Sequence, residues 1–362
     1  MRIAIDASRT TVARLTGTEH YALHLIRALI EHNRTLPLPH QLLLYFRDTP
    51  PDDLFPVREH VTLRVIPFAR LWTHVRFAAA LWRDKPDVTF VPAHTLPLLF
   101  PGRAAVTAHD LGYRYFPQAH SRGQRWYLDW TTRYSARRAS VVLADSQATA
   151  DDLQRFYGVP AAKISVVYPG VNPLQLTEID TVQKKYGIPP LYFLYIGTLQ
   201  PRKNIARLVQ AYARYRQMTG KNTALVLAGS KGWLYDEAWT AGVDGVILTG
   251  YVDEADKGAL YAGARALVFP SLYEGFGFPV LEAMGCGTPV ICSSTSSLPE
   301  LAGDAALLVN PLDVEAIAAA MQNITADETL RRDLIERGKA QAAKFTWAQA
   351  AEKLSEVLGY FE

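Results

Sequence analysis

The chain has 362 residues, 49% hydrophobic and 20% charged, as in an ordinary soluble globular protein. This exceeds the ~250–300 residues at which one hydrophobic core stops growing, so two domains are expected. No run of about 18 apolar residues is present to span a membrane, and the start, MRIAIDASRT, lacks the basic-then-apolar plan of a signal peptide. Two cysteines, Cys286 and Cys292, are too few for a disulfide scaffold or a cysteine metal site. Both read as buried free thiols in a reducing compartment, which points to the cytoplasm.

The net charge of +3 hides an asymmetry. Residues 1–172 carry 21 Lys and Arg against 14 Asp and Glu, an excess of +7, and the remainder is at −4. A basic first half suits phosphates or an acidic lipid surface. The charge is too diffuse for nucleic-acid binding, and no nucleic-acid motif accompanies it.

Short apolar runs alternate with amphipathic stretches along the chain. The first strand is RIAIDA (2–7), followed by a helix over 18–31 with Ala22, Leu25, Ile26 and Leu29 at helical spacing. Strands follow at 41–46, 61–68, 87–93, 103–110, 140–146 and 164–170. PGVNPLQLTEID breaks the pattern at 169–181 and is read as a linker. The alternation resumes with strands at 191–197, 223–229, 245–252, 266–271, 289–293 and 305–310, and helices at 204–219 and 254–263. TWAQ (346–349) has Thr and Gln at capping-box spacing and opens a last helix. This order predicts two doubly wound parallel-sheet domains in series. Open parallel sheets bind ligands beyond the carboxyl ends of their strands, so the chemistry belongs at strand-to-helix junctions facing a cleft.

Four junctions stand out. GTLQPRKN (197–204) places Arg202 and Lys203 just before a helix capped by Asn204. The helix dipole there already favours an anion, so two cations fit a phosphate ligand; two solvated loop residues would read the same. In SLYEGFGFPVLEAMGCGTPV (271–290), Glu274 lies in a loop whose Gly275 and Gly277 let backbone approach a ligand. Pro279 opens a short helix stopped by Gly285 or Gly287, with Glu282 in its first turn. A plain helix-opening loop with incidental glutamates is the alternative. TAHDLGY (107–113) ends a strand with His109 and Asp110, a pair that more often satisfies its own turn. LTGTEHY (15–21) places Gly17 at the head of the first helix. No G-x-G-x-x-G fingerprint, Walker A loop, Gly-x-Ser-x-Gly elbow, Asp-x-Asp triplet or metal-ligand spacing is present.

Three stretches together, 144–172 opening on ADSQATADDL, YIGTLQPRKN, and 250–311 with Glu-x7-Glu within it, resemble family four retaining glycosyltransferases of the GT-B fold. The similarity is greatest to the mannosyltransferase-like group of bacterial surface-polysaccharide assembly. The resemblance implies an α/β protein of two Rossmann-like domains: 1–172 on the acceptor side, 173–345 binding the nucleotide sugar, and a terminal helix, 346–362, packing back on the first. It implies that Glu282 holds the ribose hydroxyls, and that Glu274 contacts the transferred sugar beside Gly275, Phe276, Gly277 and Phe278. Arg202 and Lys203 then hold the diphosphate, with Thr198 alongside. Gly250, Tyr251 and Val252 line the base pocket. Gly17 helps cover the donor, and His109 with Asp110 faces sugar and acceptor. Many family members have Arg where Thr198 stands, and a basic residue after the glycines of the first loop, where this chain reads Gly17-Thr18-Glu19-His20.

The activity so implied is metal-independent transfer of a hexose from a GDP- or UDP-linked donor, GDP-mannose by subgroup, to a glycan or lipid-linked acceptor. No cofactor is expected. A diphosphate leaves without a proton donor if cations stabilise it, and no carboxylate nucleophile is identified. Front-face substitution is therefore the expected course, the departing oxygen taking the acceptor's proton. A UDP-sugar epimerase of the same fold and a non-catalytic binding protein are the competing readings. Segments 68–84 and 121–138 interleave Trp, Tyr and Phe with Arg, which suits peripheral contact with an anionic membrane; core-facing aromatics with solvated arginines are the alternative.

Overall fold

A computed structural model describes residues 1–12, 17–55 and 59–360. The chain forms two compact units, Met1–Gly170 with Phe345–Glu362, and Val171–Lys344. The first holds seven parallel strands: β1 (Arg2–Asp6), β2 (Gln41–Phe46), β3 (Val61–Val65), β4 (Val88–Val91), β5 (Arg103–Ala108), β6 (Val141–Ala144) and β7 (Ile164–Val166). Their order is β3-β2-β1-β4-β5-β6-β7. The second holds β8 (Tyr192–Ile196), β9 (Ala224–Ala228), β10 (Val246–Gly250), β11 (Ala266–Phe269), β12 (Val290–Ser293) and β13 (Leu307–Val309), in the order β10-β9-β8-β11-β12-β13. All pairings are parallel. In each sheet the direction of winding reverses once, between β1 and β4 and between β8 and β11. The crevice at such a reversal is where doubly wound folds bind ligands.

Period-two side chains divide the first core into two layers. Ile3, Ile5, Leu42 and Leu44 pack on one face with Leu25, Ile26 and Leu29 of helix Gly17–Asn33 and Leu354 and Leu358 of helix Trp347–Gly359. Ala4, Leu43 and Tyr45 pack on the other, against Phe77, Leu81 and Leu153. Helix Trp347–Gly359 starts where Thr346 Oγ1 accepts the Gln349 N–H at 3.2 Å. The chain returns to the first unit across Gly170, where a Cβ would sit 2.1 Å from Trp347 N; no other residue fits that crossing.

Some expected boundaries move. The linker ends earlier than 181, because Ile179–Tyr186 is helical, buries Val182 and closes on Gly187 in the left-handed region (φ +65°). The stretch 68–84 is a π-helical turn, Thr73–Phe77, running into helix Ala78–Asp84. The 254–263 helix opens with a 3-10 turn. Cys292 is buried, but Cys286 is only partly so; burial pushes the two thiols up to about 12 and about 11 respectively. Among the described residues, no helix is long and apolar enough to cross a membrane.

Candidate active site

In the second unit the loops after β8 and β11 meet at the reversal point. β8 runs into Gly197 (φ +139°) and exposed Thr198. A 3-10 turn, Pro201–Lys203, follows. Asn204 takes the left-handed conformation (φ +62°) and makes no capping bond. Its amide instead donates to the carbonyls of Pro270 at 3.0 Å and Pro311 at 2.6 Å. Together with the bond from Leu272 N–H to the Arg202 carbonyl at 2.9 Å, this ties the β8 loop to the β11 loop. Asn204 thus precedes the helix as expected, but it clamps the site rather than capping the helix.

The clamp brings together three residues expected to act there. Lys203 Nζ donates to Glu274 Oε1 at 2.5 Å, and Arg202 Nη1 donates to Glu274 Oε2 at 3.1 Å and to the Tyr273 carbonyl at 2.7 Å. All three side chains are largely buried. Burial alone would raise the Glu274 carboxyl, but the Lys203 ammonium and the Arg202 guanidinium hold it below its ordinary value. It is therefore an anion locked between two cations. The two cations expected to meet a diphosphate are ion-paired with the neighbouring carboxylate.

The backbone after Glu274 is held from behind. Glu274 N–H donates to Ser296 Oγ at 3.0 Å, and Ser297 Oγ donates to the Glu274 carbonyl at 3.0 Å and to that of Phe276. Gly277 has φ +132°, and a Cβ there would lie 2.6 Å from buried Leu298 Cδ2. Helix Phe278–Gly285 starts one residue before Pro279, so Glu282 lies in its second turn, correcting its expected place in the first. Glu282 Oε2 accepts the Tyr261 hydroxyl at 2.7 Å. Although burial disfavours its charge, Lys257 is held above its ordinary value by Glu282 and then Glu254. At the end of β10, Gly250 (φ +70°) accepts the Gly229 N–H at 2.8 Å. Tyr251 beyond it is exposed, whereas Val252 is buried.

The first unit has its own constellation at the strand ends. His109, just past β5, points Nδ1 at Asp145 Oδ2 (2.6 Å) and Nε2 at the Pro92 carbonyl (3.2 Å). A carbonyl oxygen only accepts, so Nε2 donates to Pro92, while Nδ1 and Asp145, a carboxyl that burial pushes up, share a short bond. Burial opposes a charge on the ring, yet Asp145 and the Pro92 carbonyl raise His109 above its ordinary value. Asp110 accepts the Gly112 N–H at 2.8 Å, holding its own turn. His94 stands edge-on to His109 with centroids 5.3 Å apart, and Tyr21 does the same at 4.7 Å. Burial, and then the His109 charge, hold His94 down to about 4, so the two imidazoles are shifted in opposite directions. Gly17 opens helix Gly17–Asn33 and is exposed; Leu15 and Thr16 of its loop lie outside the described residues.

Sequence reasoning missed Asp145, His94, Tyr261, Ser296 and Ser297. Asp145 ends the strand run SVVLADS at a carboxyl edge, a visible signal. The serines support backbone, and no spacing rule marks them.

The family model for glycosyl transferases group 1 matches residues 178–341, and that for glycosyltransferase family 4 matches residues 15–174. O-antigen chain mannosyltransferase B of Escherichia coli is 38% identical over 285 residues, covering 76% of this chain and 74% of that protein. Serotype-specific mannosyltransferase WbdA of Escherichia coli is 29% identical over 269 residues; the match covers 69% of this chain but 32% of WbdA, about a third of its length. Sucrose-phosphate synthase from Thermosynechococcus elongatus superposes with a TM-score of 0.76 over 99% of this chain and 98% of that structure, at 22% identity. At that identity the likeness is one of fold.

Proposed function

From the premise that the chain belongs to the family 4 glycosyltransferases of the mannosyltransferase-like group, with the GT-B fold, we propose that it transfers mannose from GDP-mannose, with retention, to a glycan or lipid-linked acceptor. The observation that carries this reading is the Glu274–Arg202–Lys203 cluster at the β8/β11 reversal. Arg202 and Lys203 neutralise the diphosphate as it leaves, so the step draws on protein cations rather than a metal ion. Glu274, released from its cations as the phosphates arrive, accepts hydrogen bonds from hydroxyls of the transferred sugar. Glu282, steadied by the Tyr261 hydroxyl, takes the ribose hydroxyls.

Bond breaking at the anomeric carbon builds positive charge on the sugar and negative charge on the departing oxygen. That oxygen takes the acceptor's proton as the acceptor bonds on the same face. His109, both of whose ring nitrogens are engaged by Asp145 and the Pro92 carbonyl, contributes positive charge rather than a free donor on the acceptor side.

The test is a thermal-stability screen of GDP- and UDP-sugars, because a true donor stabilises the folded state by mass action. Donor turnover with and without EDTA follows. Stabilisation by UDP-sugars and not by GDP-mannose would overturn the donor assignment. Activity abolished by EDTA and restored by a divalent cation would overturn the metal-free step.

A further inference from the structure

Helix Arg122–Arg138 turns its small residues inward and its aromatic residues outward. Thr131, Thr132, Ser135 and Ala136 are buried, whereas Trp126, Tyr127 and Trp130 are exposed, Trp126 at 65%. Trp126, Trp130 and Tyr134 stack at successive centroid spacings of 6.0 Å, the i to i+4 spacing of one helical stripe. At the far end Tyr134 Oη donates to the Leu98 carbonyl at 2.5 Å, which sets exposed Leu98 and Leu99 beside the stripe. Near the other end His74 Nε2 lies 3.4 Å from Tyr127 Oη, adding the exposed turn at Leu71 and Val75.

The charge on this face is one-sided. Arg122 and Arg125, on the exposed first turns, have no ion-pair partner among the described residues, and neither do Arg70 and Arg76 in the neighbouring segment. The helix's one carboxylate, Asp129, is already engaged by Arg114, Arg133 and the Tyr157 hydroxyl. Ser121 and Gln124 close a capping box, so the helix start needs no neighbour to hold it.

We propose that this face docks on a bilayer carrying anionic headgroups, with Trp126 and Trp130 in the interfacial layer and Arg122 and Arg125 against lipid phosphates. Indole rings favour the headgroup level because one edge is apolar and the other donates a hydrogen bond. Basic side chains on an amphipathic helix add attraction to anionic lipid. A second copy of the chain would instead bring the same arginines face to face.

The test uses the full chain and sedimentation with phosphatidylcholine vesicles, with and without phosphatidylglycerol, at low and high salt. The wild type should bind only the phosphatidylglycerol vesicles, with a blue shift of tryptophan emission, and should be released by high salt. Trp126→Ser with Trp130→Ser, and separately Arg122→Glu with Arg125→Glu, should each cut binding about tenfold or more, with melting and GDP binding unchanged. Quenching of wild-type tryptophan by nitroxide-labelled lipid gives the same reading without a variant. Three results would overturn the proposal: no binding to anionic vesicles, variants that bind like the wild type, or self-association without lipid that the tryptophan pair abolishes.

Discussion

Replacing Glu274 by Gln keeps the side chain's size and removes the charge that Arg202 and Lys203 share. Glu274 is 7% exposed, and the two cationic side chains retain 17% and 12% of their surface. Stripping the partner from a buried charge costs about 3–5 kcal/mol. Arg202 keeps its bond to the Tyr273 carbonyl and both cations keep some contact with water, which places the cost near 3 kcal/mol, at the low end of ~3–5 kcal/mol. With ~2–4 °C per kcal/mol for a unit of this size, the second unit should melt about 6–12 °C lower. Because the cations hold Glu274 below 4.5, the deficit is complete above that pH and closes as pH falls through the folded value.

A diphosphate reverses this ordering. If the two cations hold the diphosphate as proposed, it must displace the carboxylate from them in the wild type, whereas in the variant it meets two cations already lacking an anion. GDP at ~100-fold its Kd adds about 2.7 kcal/mol to the wild type, and at the same concentration it should add more to the variant. Turnover should nevertheless fall by about 100-fold or more, since the proposed contact of Glu274 to the transferred sugar would be gone. Scanning fluorimetry across a GDP titration, with donor turnover in parallel, measures all three effects. A variant melting within about 2 °C of wild type, or a melting gap that saturating GDP leaves unchanged, would refute the reasoning.

Tyr261→Phe removes the hydroxyl that steadies Glu282 and should raise the donor KM roughly fivefold to tenfold with kcat near wild type, read by steady-state kinetics. Gly277→Ala forces a Cβ against Leu298 at a φ of +132° and should cost about 2–3 kcal/mol in urea unfolding. Asp145→Asn removes the anion facing His109, so NMR titration should find that imidazole lower than in the wild type, with burial opposed only by the Pro92 carbonyl and Asp110. In the wild type, the stability that raises His109 is complete below about pH 6.5 and is lost as pH rises through the raised folded value; in the variant this loss should shrink.

The alternation of strands and helices was legible because parallel strands covered on both faces are continuous apolar runs, as in β8 and β9, buried along their whole length. The positions of Arg202, Lys203 and Glu274 at strand ends were legible for the same reason. Their pairing was not. Lys203 and Glu274 are 71 residues apart, and they meet only because β8 and β11 are neighbours; spacing says nothing of strand order. The same gap hid the true partner of His109. Adjacent Asp110 was the visible candidate, but the β5–β6 pairing delivers Asp145, 36 residues on. Glu282 moved one position, from the first turn into the second, because Gly277, with its positive φ, ends the loop one residue early and starts the helix at Phe278.

The aromatic helix shows a different limit. Trp126, Trp130 and Tyr134 recur at helical spacing, and spacing identifies a shared face without saying whether anything covers it. Ordinarily the large apolar face is the buried one. Here Thr131, Thr132, Ser135 and Ala136 fill that role, because small residues let the helix lie close against the loop at Leu96, whose N–H donates to Ser135 Oγ at 3.0 Å. Once the small face is committed inward, the helix geometry turns the tryptophans outward. Their exposure therefore follows from the packing of the opposite face, and a sequence that placed leucines at 131, 132, 135 and 136 could not have held the helix there.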